Sequence, residues 1–247
     1  CNSKRRRRKL QRRSNAGAQS TVRPHLDIRK MLTKAASARF VAIEGPPGAG
    51  VGPLAERLSQ TLGARLVRDP ATENPFFAGF AEDPARYAFQ SQLYCLLSRY
   101  RQQSELAQGH LFARHVVTDY LFARDHLFAQ VTLSPPELLL YDKVSALLTP
   151  HTVRPDLVVY LTAKPEILRG RFNKRNRHQD RVVRPELIDA IAKAMGTFFF
   201  HYQQSPLLVV NTSEIDFVEG DQHLDDMIAV IQKTHKGLHH YNPADPK

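Results

Sequence analysis

Apolar residues along this chain fall into short continuous runs separated by longer stretches with a helical period. The runs Phe40–Glu44, Ala64–Val67, Val116–Thr118, Leu157–Leu161 and Leu207–Val210 read as strands buried on both faces. Between them the pattern predicts helices over Pro53–Leu62, Pro84–Gln108, 121–130, 135–148, Pro165–Asn176, Pro185–Gln203 and Leu224–Lys233. Gly63 stops the first helix, and Ser134-Pro135-Pro136 is a start signal for the fourth. A loop containing Pro and Asp follows the second strand, residues 25–39 predict a short lead-in helix, and Leu238–Lys247, with Pro243 and Pro246, an extended tail. Strands alternating with helices predict an α/β fold, a parallel sheet flanked by helices on both faces. There is no internal repeat.

Charge changes that picture at one end. Nine of the basic residues lie in residues 1–24, which hold no acid, so the net charge of +11 falls to +2 beyond residue 24. The body is nearly neutral and carries a basic arm. An Arg-rich, acid-poor N-terminus has the composition of an organellar transit sequence. Its like charges repel one another, so residues 4–13 are predicted to lie against an anionic surface, acidic lipid headgroups or RNA; a solvated tail is the plain alternative. Cys1 and Cys95 are far apart in sequence, which argues against a disulfide framework and fits a reducing compartment. No apolar run approaches the ~18 residues of a membrane span. With 42% apolar residues the chain can bury a sizeable core.

The segment FVAIEGPPGAGVGPL, Phe40–Leu54, is a strand, a glycine-rich turn and a helix start, the setting of a phosphate-binding loop of pattern G-x-x-x-x-G-K-[ST]. Gly45 and Gly50 are in register, but Val51 occupies the lysine position and Gly52 the Ser/Thr position. Backbone amides over Gly45, Gly48, Gly50, Val51 and Gly52 can still cradle an anion at the helix N-terminus. The cation for the β- and γ-phosphates and the hydroxyl for magnesium are missing. A charge pair at 4 Å contributes about 4 kcal/mol at an effective dielectric near 20, so the loss corresponds to roughly a thousandfold in rate. The expectation is a kinase fold without its reaction.

Three further segments follow in order: ENPFFAGFAEDPARYAFQSQLYCLLSRY (Glu73–Tyr100), VVTDYLFARD (Val116–Asp125) and RFNKRNRHQDR (Arg171–Arg181). With them the chain resembles the deoxynucleoside kinase family over most of residues 40–235. The resemblance implies a P-loop kinase-type sheet with a basic N-terminal extension. Its segments are a basic arm and lead-in over 1–38, a kinase-like domain over 39–235 with a lid at about 171–181, and a tail over 236–247. It implies that Gln92 and Asp125 pair with a nucleobase edge, with Arg99 beside them, a chemistry an amide and a carboxylate suit. It places Asp69 where the family's carboxylate accepts the proton of the sugar 5′-hydroxyl, one methylene shorter than glutamate. Asp119 matches the acid of an acid–Arg–Ser motif in which Tyr120 stands where many members have arginine. Arg171, Arg175, Arg177 and Arg181 match a lid that clamps phosphoryl oxygens, a role for planar guanidinium forks; a solvated basic helix end is the alternative. Lys174 or a lid arginine could replace the missing charge. Phe76, Phe77, Tyr87 and Phe89 are candidates for stacking on a base or for simple core. His110, His115 and His201 lack metal-ligand spacing, so no metal site is predicted.

On this basis Asp69 and Asp119 are expected to be vestigial. The chain reads as a non-catalytic accessory subunit of a large mitochondrial assembly, by analogy with the kinase-like subunit of respiratory complex I. That reading implies other protein subunits as partners, a matrix location at an inner-membrane complex, no required cofactor, and a retained nucleoside or nucleotide as an optional ligand. Two alternatives stand beside it: a mitochondrial ribosome subunit touching rRNA through the arm, and an active ATP-dependent deoxynucleoside kinase with a divergent loop.

Overall fold

The computed structural model describes residues 40–109, 115–174, 184–215 and 224–242. They all belong to the compact unit Ala36–Lys247; the other unit, Cys1–Ala35, lies outside the described residues, as do the lead-in helix and the anionic contacts expected of residues 4–13. The elements run β1 (Phe40–Glu44), α1 (Val51–Leu62), β2 (Arg65–Val67), α2 (Phe77–Glu82), α3 (Pro84–Gly109), β3 (Val116–Thr118), α4 (Arg124–Thr132) and α5 (Pro135–Leu148). They continue with β4 (Leu157–Thr162), α6 (Pro165–Lys174), α7 (Pro185–Phe200), β5 (Leu207–Asn211), α8 (Leu224–Lys233) and β6 (Leu238–Tyr241). Short 3₁₀ turns occupy Pro70–Glu73 and Thr149–His151.

The strands form one parallel sheet in the order β2-β3-β1-β4-β5-β6. The chain therefore leaves β1 toward one side and later returns to its other side at β4. A crevice opens at the carboxyl ends of the strands at such a switch point, which is where open α/β sheets take ligands. All five residues of β1 are buried. Val41 and Ile43 face one core with Leu54, Leu58, Leu161, Leu168 and Met227. Phe40 and Ala42 face the other, with Val116, Tyr160, Met195 and Phe199. This period of two, with apolar residues on both sides, is why the strand reads as an unbroken apolar run. A third cluster, Leu96, Ala129 and Tyr141, joins α3, α4 and α5.

The structure departs from the sequence pattern at element ends. α1 begins at Val51, two residues before Pro53, because a proline in the first turn removes an N–H that has no helical partner. Gly63, at φ 59°, ends that helix, and Ala64 donates back to the Ser59 carbonyl at 2.8 Å, so the second strand starts at Arg65. α2 forms within the stretch read as loop. Residues 121–123 precede α4 without belonging to it, and α7 stops at Phe200. The helix read to Asn176 is described to Lys174. The start signal at Ser134 is a capping box, with the Ser134 N–H donating to Glu137 at 3.0 Å. The sheet does not close on β5: part of the expected extended tail pairs with it as β6, with Leu207 opposite Leu238. Four residues, two of them histidine, carry too little periodicity to announce a strand.

Candidate active site

The carboxyl ends of β1, β2 and β3 bring an acid–base cluster together beside the glycine-rich loop. Glu44, the last residue of β1, is completely buried, and a buried carboxylate persists only when paired. It accepts hydrogen bonds from the Gly45 N–H (2.8 Å), the Leu121 N–H (2.8 Å) and the Arg124 guanidinium (2.6 Å). Because α4 starts only at Arg124, the Leu121 amide is free to make its bond. Arg124 also donates to Asp69 Oδ2 at 3.0 Å and to the Gly45 carbonyl at 3.2 Å.

Asp69 caps the 3₁₀ turn that follows β2, accepting from the Ala71 N–H at 3.1 Å. Arg99, from α3, grips it with Nε at 2.9 Å and NH2 at 2.8 Å. The same guanidinium donates through NH1 to Asp125 in the first turn of α4. Acids and arginines thus alternate from Glu44 through Arg124, Asp69 and Arg99 to Asp125. Asp119, after β3, accepts the Asp69 N–H at 2.5 Å.

The fields within this chain of charges differ from member to member. Burial raises the Asp69 carboxyl, but Arg99 and Arg124 outweigh it and hold the group down at about 2. Burial pushes Asp125 up to about 6 against the pull of Arg99. Burial also raises Asp119. Arg99 and Arg124 are held in the charged form by their acids despite burial. Access differs too. The side chains of Asp69 and Arg124 are 13% and 16% exposed, while Arg99, Asp125 and Glu44 are at 5%, 1% and 0%. A ligand arriving from solvent meets Asp69 and Arg124 first.

Of the residues expected at a nucleobase, Gln92, Arg99 and Asp125 lie on neighbouring α3 and α4. Gln92 donates through Nε2 to the Thr132 hydroxyl at 3.1 Å. Asp125 Oδ2 and the Tyr141 hydroxyl are buried with no hydrogen-bond partner, an arrangement that calls for one. Phe89 packs with Leu93 and Phe122 against the cluster around Tyr141. Phe76 and Phe77 are partly buried at the start of α2. Tyr87 packs against Gly79, where an added Cβ would meet its ring at 2.9 Å.

The glycine-rich loop has the shape its glycines require. Gly48 and Gly50 have φ of 92° and 96°, in the left-handed region. A Cβ on Gly48 would stand 2.4 Å from the Leu168 carbonyl oxygen, and one on Gly45 2.8 Å from that of Leu161. At Gly52 an added Cβ would meet nothing within 4 Å. Gly48→Ala is therefore expected to destabilise the protein by about 2–3 kcal/mol. Gly52→Ala should stabilise it by about 0.4–1 kcal/mol. Urea unfolding of the two variants checks both; equal stabilities would mean the loop is not held in this shape. Val51 packs against the core, and position 52 has no side-chain oxygen for a metal. Among the described residues no three His, Cys, Asp or Glu side chains converge on a metal-sized site. The loop does not fit the magnesium-holding role of its pattern.

Arg171, expected in the lid, donates to the carbonyls of Thr212 (2.8 Å) and Ile215 (2.6 Å). Lys174 is exposed at the end of α6. Arg175, Arg177 and Arg181 lie outside the described residues. Sequence reasoning missed Glu44 and Arg124. An acid ending an apolar strand, and an arginine beside Asp125, were the available signals. Tyr120, where an arginine was noted as missing, is buried, donates to Gln102 at 2.9 Å and packs its ring near the Arg99 guanidinium. The guanidinium at this point of the site comes from Arg124, four residues later.

A parallel sheet in this order, with a glycine-rich loop after its central strand and a buried acid–arginine cluster beside that loop, defines a P-loop kinase-type α/β protein. The family described as deoxynucleoside kinase matches residues 41–236, and the chain belongs to it. It is similar to a deoxyguanosine kinase of Bacillus subtilis, 28% identical, covering 80% of this chain and 98% of that protein. A deoxyadenosine kinase of Dictyostelium discoideum is 29% identical, covering 85% of this chain and 86% of that one. Among solved structures, a deoxyadenosine kinase of M. mycoides with bound dATP shares the fold at a TM-score of 0.67 and 21% identity, over 79% of this chain and 100% of that one.

These relatives overturn the expectation that the chain is no enzyme. Proteins matching it over most of its length are kinases by name, and Arg124, paired with Glu44, sets a guanidinium beside the loop that lacks its lysine.

Proposed function

We propose that this chain is an active kinase that transfers the γ-phosphoryl group of ATP to the 5′-hydroxyl of a deoxynucleoside. The observation that carries the reading is the alternating network from Glu44 to Asp125, which links a buried carboxylate oxygen without a partner to a second carboxylate beside a phosphate-binding loop. The unpartnered Asp125 Oδ2 and the Gln92 amide hold the nucleobase. Arg99 ties that end to Asp69, so seating the base fixes the carboxylate. Asp69 orients the 5′-hydroxyl and takes its proton as the new O–P bond forms. A carboxylate held near 2 is a weak base, so its contribution is placement of the hydroxyl and a negative field more than early proton abstraction. The loop amides receive the phosphates. Relatives named for deoxyguanosine and deoxyadenosine, and a fold relative solved with dATP, support a deoxynucleoside as substrate.

The test is formation of deoxynucleoside monophosphate and ADP from ATP, magnesium and each of the four deoxynucleosides. Monophosphate from at least one is expected; none from any, with folded protein, would refute the proposal. The pH profile carries a further expectation. With Asp69 ionised throughout, the acid limb of kcat/KM should fall near pH 6, where Asp125 gains a proton and Oδ2 changes from acceptor to donor. A limb below pH 4 would assign it elsewhere.

A further inference from the structure

We infer that Arg124 supplies the phosphoryl-side cation that position 51 lacks, and that it is released for this when the substrate hydroxyl takes its place on Asp69. The inference rests on the kinase reading and deepens it at the same site.

Asp69 in this structure is saturated. Its two oxygens accept four hydrogen bonds, from Arg99 Nε and NH2, Arg124 NH1 and the Ala71 amide. A carboxylate has about four lone-pair sites, so a substrate hydroxyl can bind only by displacing one donor. The Ala71 amide is fixed by the turn that Asp69 caps. Arg99 holds Asp69 by two parallel bonds, is anchored on Asp125, and is 5% exposed. Arg124 holds it by one bond at 3.0 Å and is 16% exposed. Arg124 is the donor that gives way.

Once displaced, the guanidinium is not lost. Nε and NH2 remain on buried Glu44 at 3.0 and 2.6 Å, and NH2 stays 3.2 Å from the carbonyl of Gly45, the first loop residue. Its NH1 group, freed from Asp69, is thereby held at the start of the phosphate loop with two unused protons. A planar fork carrying a permanent charge suits phosphoryl oxygens. The covalent step balances without further reagents. The 5′-oxygen bonds to the γ-phosphorus while the bond from that phosphorus to the bridging oxygen breaks. Its electron pair leaves with ADP, and the hydroxyl proton passes to Asp69. Arg124 donates hydrogen bonds to the non-bridging oxygens as their charge shifts. One event, hydroxyl binding, both places the nucleophile and delivers the cation.

The test compares wild type, Arg124→Ala, Arg124→Ala with Val51→Lys, and Arg124→Ala with Glu44→Gln. The last removes the buried acid left unpaired, so that a folding defect can be recognised. Arg124→Ala should lower kcat by about 10²–10³ with nucleoside KM within about threefold. Methylguanidinium at tens of millimolar should recover at least tenfold of the loss, and so should Val51→Lys. Neither would repair a merely structural defect. Undiminished turnover in Arg124→Ala overturns the inference alone. So does a loss that persists in the Glu44→Gln double variant, folded as stably as wild type, and responds to neither methylguanidinium nor Val51→Lys. Absence of turnover in wild type overturns the kinase reading and this inference with it.

Discussion

Asp69→Asn is expected to lower kcat by about 10²–10⁴, the joint contribution of placing the hydroxyl, of the negative field and of taking the proton as the O–P bond forms. Asparagine keeps the size of the side chain and can still accept from Arg99, so substrate binding should survive while the chemical step fails. It also removes the negative charge between two buried guanidiniums, leaving Arg99 and Arg124 facing a neutral group. In wild type, the carboxyl is lowered from 3.8 to about 2, which corresponds to about 2 kcal/mol of stability. The sign follows from a depressed folded-state pKa: this stabilisation is present above pH 4 and is lost as pH falls through about 2. Unfolding at pH 7 should therefore show Asp69→Asn less stable by at least that amount. Steady-state turnover gives the other half of the result. Activity within threefold of wild type would remove Asp69 from the mechanism.

The double variant Val51→Lys, Gly52→Ser should raise kcat/KM for ATP by about 10–10². A fresh cation on the β- and γ-phosphates is worth up to about 4 kcal/mol at short range, a thousandfold. The expected gain is smaller because Arg124 already meets part of that charge. Space favours the change: a Cβ at Gly52 meets nothing within 4 Å, and α1 already begins at position 51. The serine hydroxyl would add a metal ligand that the loop lacks, so the variant should show steeper magnesium dependence than wild type. Titrations of rate against ATP and magnesium measure both effects. If ATP kinetics do not respond at all, the phosphates do not sit on this loop.

The strands and long helices were legible because burial on both faces writes an apolar run into the sequence, as in β1, and one-sided packing writes a helical period. The loop's register was legible because Gly45 and Gly50 mark it, the first pressed against a neighbouring carbonyl and the second at a positive φ. What sequence could not show was who partners whom. Glu44 and Arg124 are 80 residues apart, and Arg99 and Asp69 are 30 apart. Only the sheet order brings them together. The substitutes the sequence offers for the missing lysine, Lys174 and the lid arginines, all come from one later segment, and Arg124 is not among them. Arg124 stands in the segment Val116–Asp125, but nothing local in the sequence ties it to Glu44 or to the glycine-rich loop. β6 was missed for a simpler reason: its stability comes from ladder bonds to β5 rather than from its own pattern.

Gly48 and Leu168 meet with no side chain between them. Thr212 completes the lacing: its hydroxyl reaches the Ala49 carbonyl at 3.3 Å while its own carbonyl accepts from Arg171 of α6. The curvature of the loop is thus recorded in its neighbours, outside positions 51 and 52. Side chains there could drift over evolutionary time without the loop uncoiling, and a mould of that kind can accept a lost residue back.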